Sequence, residues 1–227
     1  MIELISKGGP LIWLLLGCSF VALGIFVERF FHLHRSVIDV GELLQGLSNL
    51  VKKQNYAEAL HEAAGTPGPV ARVIKAGLVR HEVSRADLKQ IVQEAGQLEV
   101  PKLERYLPVL LSICYVAPLV GLLGTVLGLT DTFIKLETGN GFATPAELSG
   151  GVYKSLLTSA AGLAVAIPAY LLYAYLAAFV KSLMHDMERA GIEIVNIVAD
   201  NRPAIPAVAE ADGQIIAFNR EAGHAGR

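Results

Sequence analysis

The stretch 148–180 constrains the fold of this chain more than any other, because its 33 residues include one charge, Lys154. A helix of this length rises about 50 Å, which exceeds the roughly 30 Å hydrocarbon core of a bilayer. The stretch therefore predicts a membrane-spanning helix that continues into water at one end. Its first half carries hydroxyl and small residues, which in a membrane usually face protein or a water-filled path. We predict that this half forms one wall of a polar seam between packed helices.

Two further apolar stretches extend this prediction to an all-α membrane protein with three transmembrane helices. Residues 10–27 carry no charge, and residues 107–133 reach their first charge at Asp131. Only 18% of the 227 residues are charged, whereas soluble domains have about a quarter. We predict spans over 10–31, 107–133 and 150–180, with Glu28 and Arg29 marking the membrane boundary of the first span.

Residues 32–106 predict a helical domain in water. Apolar residues recur there at helical spacing, the sequence GTPGP at 65–69 indicates a turn, and Ser84 with Asp87 resembles a capping box that begins a further helix. Pro101 and Pro108 are expected to kink the helix that leads into the second span. The chain has no glycine-rich phosphate loop, no convergent catalytic set and no metal-ligand spacing, so we predict no enzymatic activity, no metal and no cofactor.

The distribution of basic residues predicts the topology. Nine Lys and Arg residues lie between residues 36 and 106, whereas the loop between the second and third spans has only Lys135. Because positive charge marks the cytoplasmic side, we predict a periplasmic N-terminal segment (1–9), a cytoplasmic domain (32–106) and a periplasmic loop (134–149). A cytoplasmic helix (181–202) and a mobile C-terminal tail (203–227) follow.

The second and third spans carry motifs that resemble those of the ExbB/TolQ/MotA proton-channel family. These motifs are APLVGLLGTVLGLTDTF at 117–133 and TSAAGLAVAIPAYLLY at 158–173. The Glu28–Arg29 pair and the large segment between the first two spans also fit, and the match is closer to the ExbB/TolQ branch. The resemblance covers roughly residues 10–201.

This resemblance implies a homopentameric ring in the bacterial inner membrane, with long cytoplasmic helical extensions. The ring would surround a dimer of single-span ExbD/TolR-like partners, each with a membrane aspartate that takes and releases the proton. Ion flow, by protons, would drive mechanical work on the envelope through a TonB-like or other envelope protein. Lipids are the remaining partners, and no nucleic acid is expected, since the net charge is −2.

The resemblance also assigns site residues. Thr125 matches the hydroxyl residue of the second span that lines the ring interior, and Ser159 matches that of the third, with Thr158 beside it. A set of proline and glycine residues is assigned to packing and kinks: Pro118, Gly121, Gly124, Gly128, Gly162 and Pro168. The spacing of the three glycines in the second span independently predicts tight helix packing. The hydroxyls have a simpler alternative, which is hydrogen bonding to carbonyls of their own helix.

Lys154 departs from the family pattern, which has an acidic residue eight positions before Gly162. We predict that Lys154 lines the ion path with Thr125, Thr158 and Ser159, where a fixed cation would repel hydrated cations. Its side chain could extend to the outer interface, pair with a carboxylate of the partner helix or of a neighbouring protomer, or relay protons. Asp131 is expected to be interfacial. Two alternative functions follow, a non-conducting scaffold ring and a channel or transporter subunit that acts alone.

Overall fold

The computed structural model describes residues 10–36, 38–138 and 145–201, without the side chains of 145–147. This part of the chain is entirely helical, with no strand among the described residues. Its helices are α1 (Pro10–His34), α2 (Val40–Lys52), α3 (Tyr56–Gly65), α4 (Pro69–Val79), α5 (Arg85–Leu103), α6 (Leu107–Thr138) and α7 (Pro145–Asp200). The predicted N-terminal segment, 1–9, and tail, 203–227, lie outside the described residues.

Three of these helices are long and apolar enough to cross a membrane: α1, α6 and the part of α7 from Leu148 to Asp200. This confirms the predicted all-α architecture with three candidate spans. Helix α7 has 56 residues and rises about 84 Å, so it is long enough to cross an apolar layer and extend well beyond it. Helix α6 packs along the first half of α7, and α1 packs against both.

The loop predicted at 134–149 is too long. Helix α6 continues to Thr138 and α7 begins at Pro145, and residues 139–144 lie outside the described part. An ion pair one helical turn apart, between Lys135 Nζ and Asp131 Oδ2 at 2.7 Å, favours the extension of α6. Proline at the start of α7 suits a first helical turn, where its missing N–H is not needed.

Helices α2 to α5 pack around the second half of α7 and form the predicted helical domain. The apolar residues that recur at helical spacing are the ones buried, among them Leu47, Val51, Ile74, Leu78 and Leu88. Ser84 caps α5, since its Oγ accepts a hydrogen bond from the Asp87 N–H at 3.2 Å. Helix α5 runs antiparallel to α7, because its start contacts Asn196 whereas Gly96 lies near Met187. Helix α5 therefore leads the chain alongside α7 to the start of the second span.

One helix ends and the next begins between Pro101 and Pro108, the two prolines that were expected to kink a single helix. Pro101 lies inside the last turn of α5 and Pro108 inside the first turn of α6. Between the helices, Tyr106 adopts a positive φ of 69°, which is rare for a bulky residue. The helix is therefore interrupted by a turn rather than kinked, and α6 continues antiparallel to α7, as α5 does.

Candidate functional site

The candidate site is a seam along which the backbones of α6 and α7 approach closely. A Cβ atom added to Gly162 would lie 2.7 Å from the Ala117 carbonyl oxygen and 2.9 Å from the Gly121 Cα. A Cβ atom added to Gly128 would lie 2.7 Å from the Ser155 Cβ. Since backbone cannot move aside as a flexible side chain can, the seam requires glycine at its tightest points.

Two hydroxyl groups join the helices on one flank of this seam. Thr125 Oγ1 and Ser159 Oγ are hydrogen-bonded to each other across 34 positions of sequence. Ser159 Oγ also lies 3.1 Å from the Gly121 carbonyl oxygen, and Thr125 Oγ1 lies 3.3 Å from the same oxygen. A further contact of 3.4 Å joins Thr125 Oγ1 to the Ser155 carbonyl oxygen. The structure therefore brings together the two residues that the family motifs pick out.

Proton counting shows that this pair has alternative hydrogen-bonding arrangements. Each hydroxyl has one proton to donate, so the two groups make at most two of the four contacts at once. Rotation of either hydroxyl exchanges one acceptor for another without moving the helices. Both side chains are partly exposed, so an incoming water or carboxylate can replace one of the internal acceptors. Such a pair can accept a proton on one side and donate one on the other.

Thr158 occupies a different position from its neighbour Ser159. It is 2% exposed, and its Oγ1 donates to the Lys154 carbonyl oxygen of its own helix at 2.9 Å. Its methyl group packs against the backbone of Gly124. Thr158 thus contributes to helix packing inside the seam rather than to the flank that Thr125 and Ser159 share.

Lys154 also lies away from the hydroxyl pair. Five residues separate Lys154 from Ser159, which places them about 140° apart around α7, and Asp131 lies about 120° from Thr125 around α6. Asp131 pairs with Lys135 and is also influenced by the charge of Lys154. The structure therefore places Lys154 near Asp131 on the other flank of the seam.

That second flank is the one on which α1 packs. Leu15 of α1 is buried in a small cluster to which Val120 of α6 and Ala161 of α7 also belong. Lys154 precedes Ala161 by seven residues, about two turns, and Asp131 follows Val120 by eleven, about three turns. Both charged residues thus continue the face that α1 covers. The Thr125–Ser159 flank is the polar surface that α1 leaves open.

The two residues of the predicted boundary pair, Glu28 and Arg29, differ in their exposure. Glu28 is exposed, whereas Arg29 is 3% exposed and donates from Nη1 to the Lys102 carbonyl oxygen at 3.4 Å. Arg29 therefore contacts the C-terminal turn of α5, where unpaired carbonyls favour a positive charge.

Sequence reasoning missed Glu99, which is buried beside this junction. Its carboxylate lies 2.7 Å from Arg72 Nη2 and accepts a hydrogen bond from Lys102 Nζ at 2.8 Å. Burial raises the pKa of Glu99, but the Arg72 and Lys102 charges outweigh it and hold the pKa below its usual value. The sequence did contain a signal, because Glu99 lies at helical spacing from Leu88 and Val92 and therefore on the same buried face of α5.

Comparison with known proteins finds a family match over the part of the chain that forms this seam. Residues 66–189 match the model of the MotA/TolQ/ExbB proton channel family, a range that contains α6 and the apolar half of α7. Among the described residues, no three His, Cys, Asp or Glu side chains converge as a metal site would require.

Several individual proteins are similar over much of their length. A protein of Methanothermobacter thermautotrophicus named as an ExbB homolog is 26% identical over 224 residues, covering 95% of this chain and 79% of the relative. The biopolymer transport protein exbB1 of Vibrio cholerae is 30% identical over 172 residues, covering 74% and 75%. The Tol-Pal system protein TolQ of Pseudomonas aeruginosa is 30% identical over 152 residues, covering 67% and 63%.

Proposed function

The chain belongs to the MotA/TolQ/ExbB proton channel family, and we propose that it is the ring subunit of an ExbB/TolQ-like inner-membrane motor. In this proposal five copies surround a dimer of ExbD/TolR-like single-span partners. Proton flow through the ring is coupled to mechanical work on the cell envelope. The observation that carries the proposal is the Thr125–Ser159 hydroxyl pair on the open flank of the α6–α7 seam.

The hydroxyl pair suits proton transfer next to a partner carboxylate. We place the open flank toward the lumen of the ring because α1 covers the opposite flank. A partner aspartate at this height could accept a hydrogen bond from Thr125 or Ser159 when ionised and donate one when protonated. The exchangeable acceptors of the pair allow both states without helix movement, which a proton path requires.

The position of Lys154 bears on the scaffold alternative. A fixed cation in the lumen would repel hydrated cations, and that consideration suggested a ring that does not conduct. Lys154 instead lies on the flank of α1, toward Asp131. We propose that its long side chain extends to the outer interface near Asp131, where it does not obstruct an ion path along the other flank. In this proposal the charge of Lys154 no longer favours a non-conducting scaffold ring.

The topology is proposed on the distribution of charge. The helical domain of α2 to α5 and the end of α7 would lie in the cytoplasm, and the α6–α7 connection in the periplasm. With this orientation the hydroxyl pair lies in the membrane layer, between the outer connection and the inner domain.

The test is proton flux in liposomes that contain the chain co-purified with an ExbD/TolR-like single-span partner. Thr125→Val keeps the shape of the side chain and removes the hydroxyl, so we expect it to lower flux strongly. Thr130→Val is the matched control, because Thr130 lies on the same helix, is exposed and bonds only to the Val126 carbonyl of its own helix at 2.8 Å. Equal flux from the two variants would contradict the proposed role of the pair.

A further inference from the structure

An open groove of about 660 Å³ runs between α5 and the second half of α7. Its apolar lining comes from both helices and includes Val92, Gly96, Met184, Met187, Gly191 and Val195. Gly96 on α5 leaves room for it, since a Cβ added there would meet nothing closer than the Met187 Cε, at 3.9 Å. Ile192, which is 64% exposed, stands at the edge of the groove. The groove is therefore an apolar surface in a domain that otherwise faces water.

A projecting apolar side chain lies on the opposite side of α5. Leu98 is 70% exposed, and with Ile192 it is the most exposed large apolar residue described outside the three predicted spans. It follows Gly96 by two residues, so it points about 160° away from the groove at nearly the same height along the helix. One helix thus presents an apolar projection on one side and borders an apolar groove on the other.

The charges beside these two surfaces have opposite sign. Asp87 and Glu94 precede Leu98 by eleven and four residues, which places all three on one exposed stripe of α5. Arg85 and Lys89 line the groove, where Arg85 Nη2 donates to Asn196 Oδ1 at 2.6 Å. Glu188 is the acidic residue of the groove lining. Along α5 both surfaces follow the same order, with charges near the start of the helix and apolar residues near its end.

We propose that the stripe of Asp87, Glu94 and Leu98 docks into the α5–α7 groove of a second copy of this chain. This inference rests on the ring proposed above and names the surfaces through which the aqueous domains meet. Different surfaces on the two sides of one subunit make a head-to-tail contact, which closes into a ring when the rotation between copies closes. Rotation about an axis parallel to α5 keeps heights unchanged, so Leu98 meets the apolar end of the groove and Asp87 meets Arg85 and Lys89.

Cysteine cross-linking tests this contact directly in the full chain. In a background with Cys18→Ser and Cys114→Ser, the double variant Leu98→Cys/Met184→Cys should form a ladder of disulfide-linked multimers on oxidation in membranes, because Met184 lines the groove at the height of Leu98. The matched control is Val79→Cys/Met184→Cys, because Val79 is also an exposed apolar residue but lies at the end of α4, away from the stripe. We expect the control to remain monomeric under the same conditions.

Native mass spectrometry and proton flux of the same samples separate this inference from the proposed function. A ring by mass that conducts but gives no ladder would overturn the docking and leave the motor proposal intact. A monomer by mass would overturn both. A charge exchange adds a second measurement: Asp87→Lys should lower the cross-linking yield, and Lys89→Asp in the same chain should restore it. Unchanged yield in Asp87→Lys would contradict the proposed register.

Discussion

The guanidinium carbon of Arg29 lies 4.8 Å from the centroid of the Tyr106 ring, and this contact joins the C-terminal part of α1 to the turn between α5 and α6. Arg105 stacks on the same ring at 4.8 Å. Tyr106 is the residue with a positive φ at this turn, and Arg29 also donates to the carbonyl of Lys102 just before it. A buried arginine thus stabilises the turn that joins the helical domain to the second span.

Replacing Arg29 should therefore destabilise the whole chain rather than a local surface. Arg29→Ala removes a hydrogen bond and a cation–π contact from a buried position, so we expect unfolding free energy to fall by about 1–3 kcal/mol. Thermal unfolding in detergent micelles measures the loss. Arg35→Ala is the control, because Arg35 is exposed near the same helix end. Equal melting temperatures for the two variants would contradict the structural role of Arg29.

The buried carboxylate of Glu99 predicts a dependence of stability on pH. Its pKa in the folded chain lies below the usual value of 4.5, because the Arg72 and Lys102 charges outweigh the effect of burial. A lowered folded pKa means that the contribution to stability is complete above the usual pKa and is lost as pH falls through the folded value. We expect Glu99→Gln to cost about 1–3 kcal/mol at neutral pH and less in acid.

Melting temperature measured against pH tests this expectation. The difference between wild type and Glu99→Gln should shrink as the pH is lowered below 4.5. Glu193→Gln serves as the control, since Glu193 is an exposed carboxylate in the second half of α7 and lies outside the docking stripe. A Glu99 difference that stays constant with pH would show that the loss comes from packing alone.

The closest approach of a glycine to backbone in the α6–α7 seam, at Gly162, predicts a strong effect of one added methyl group. Gly162→Ala would force a Cβ to within 2.7 Å of the Ala117 carbonyl oxygen, so the helices must separate, at a cost of about 1–3 kcal/mol. Gly17→Ala on α1 meets nothing within 4 Å and should be neutral or slightly stabilising. Thermal unfolding of the two variants checks the contrast, and similar melting temperatures would argue against a tight seam.

The flank on which Lys154 lies predicts that its charge is not required for flux. We expect Lys154→Gln to conduct nearly as well as wild type in liposomes, since the side chain is remote from the hydroxyl pair. Ser159→Ala should lower flux about tenfold, equivalent to roughly 1.4 kcal/mol, because it removes one side of that pair. If Lys154→Gln abolished flux while Ser159→Ala did not, the assignment of the two flanks would be wrong.

The sequence by itself determined the features that depend on local pattern. Three spans follow from the length of uncharged stretches, the start of α5 follows from Ser84 and Asp87, and the family follows from the motifs of the last two spans. The buried stripes of the aqueous domain follow from helical spacing. Each of these depends on residues within a few turns of one another, so composition and periodicity suffice.

Only the tertiary structure decided which polar residues share a surface. The pairing of Thr125 with Ser159, the separation of Lys154 from both and the partners of Glu99 all depend on how each helix is rotated against its neighbour. A rotation of one residue, about 100°, would exchange one flank of the seam for the other. That rotation is set by the close approach at Gly162 and Gly121, a contact between residues far apart in the chain, which the pattern within either helix does not specify.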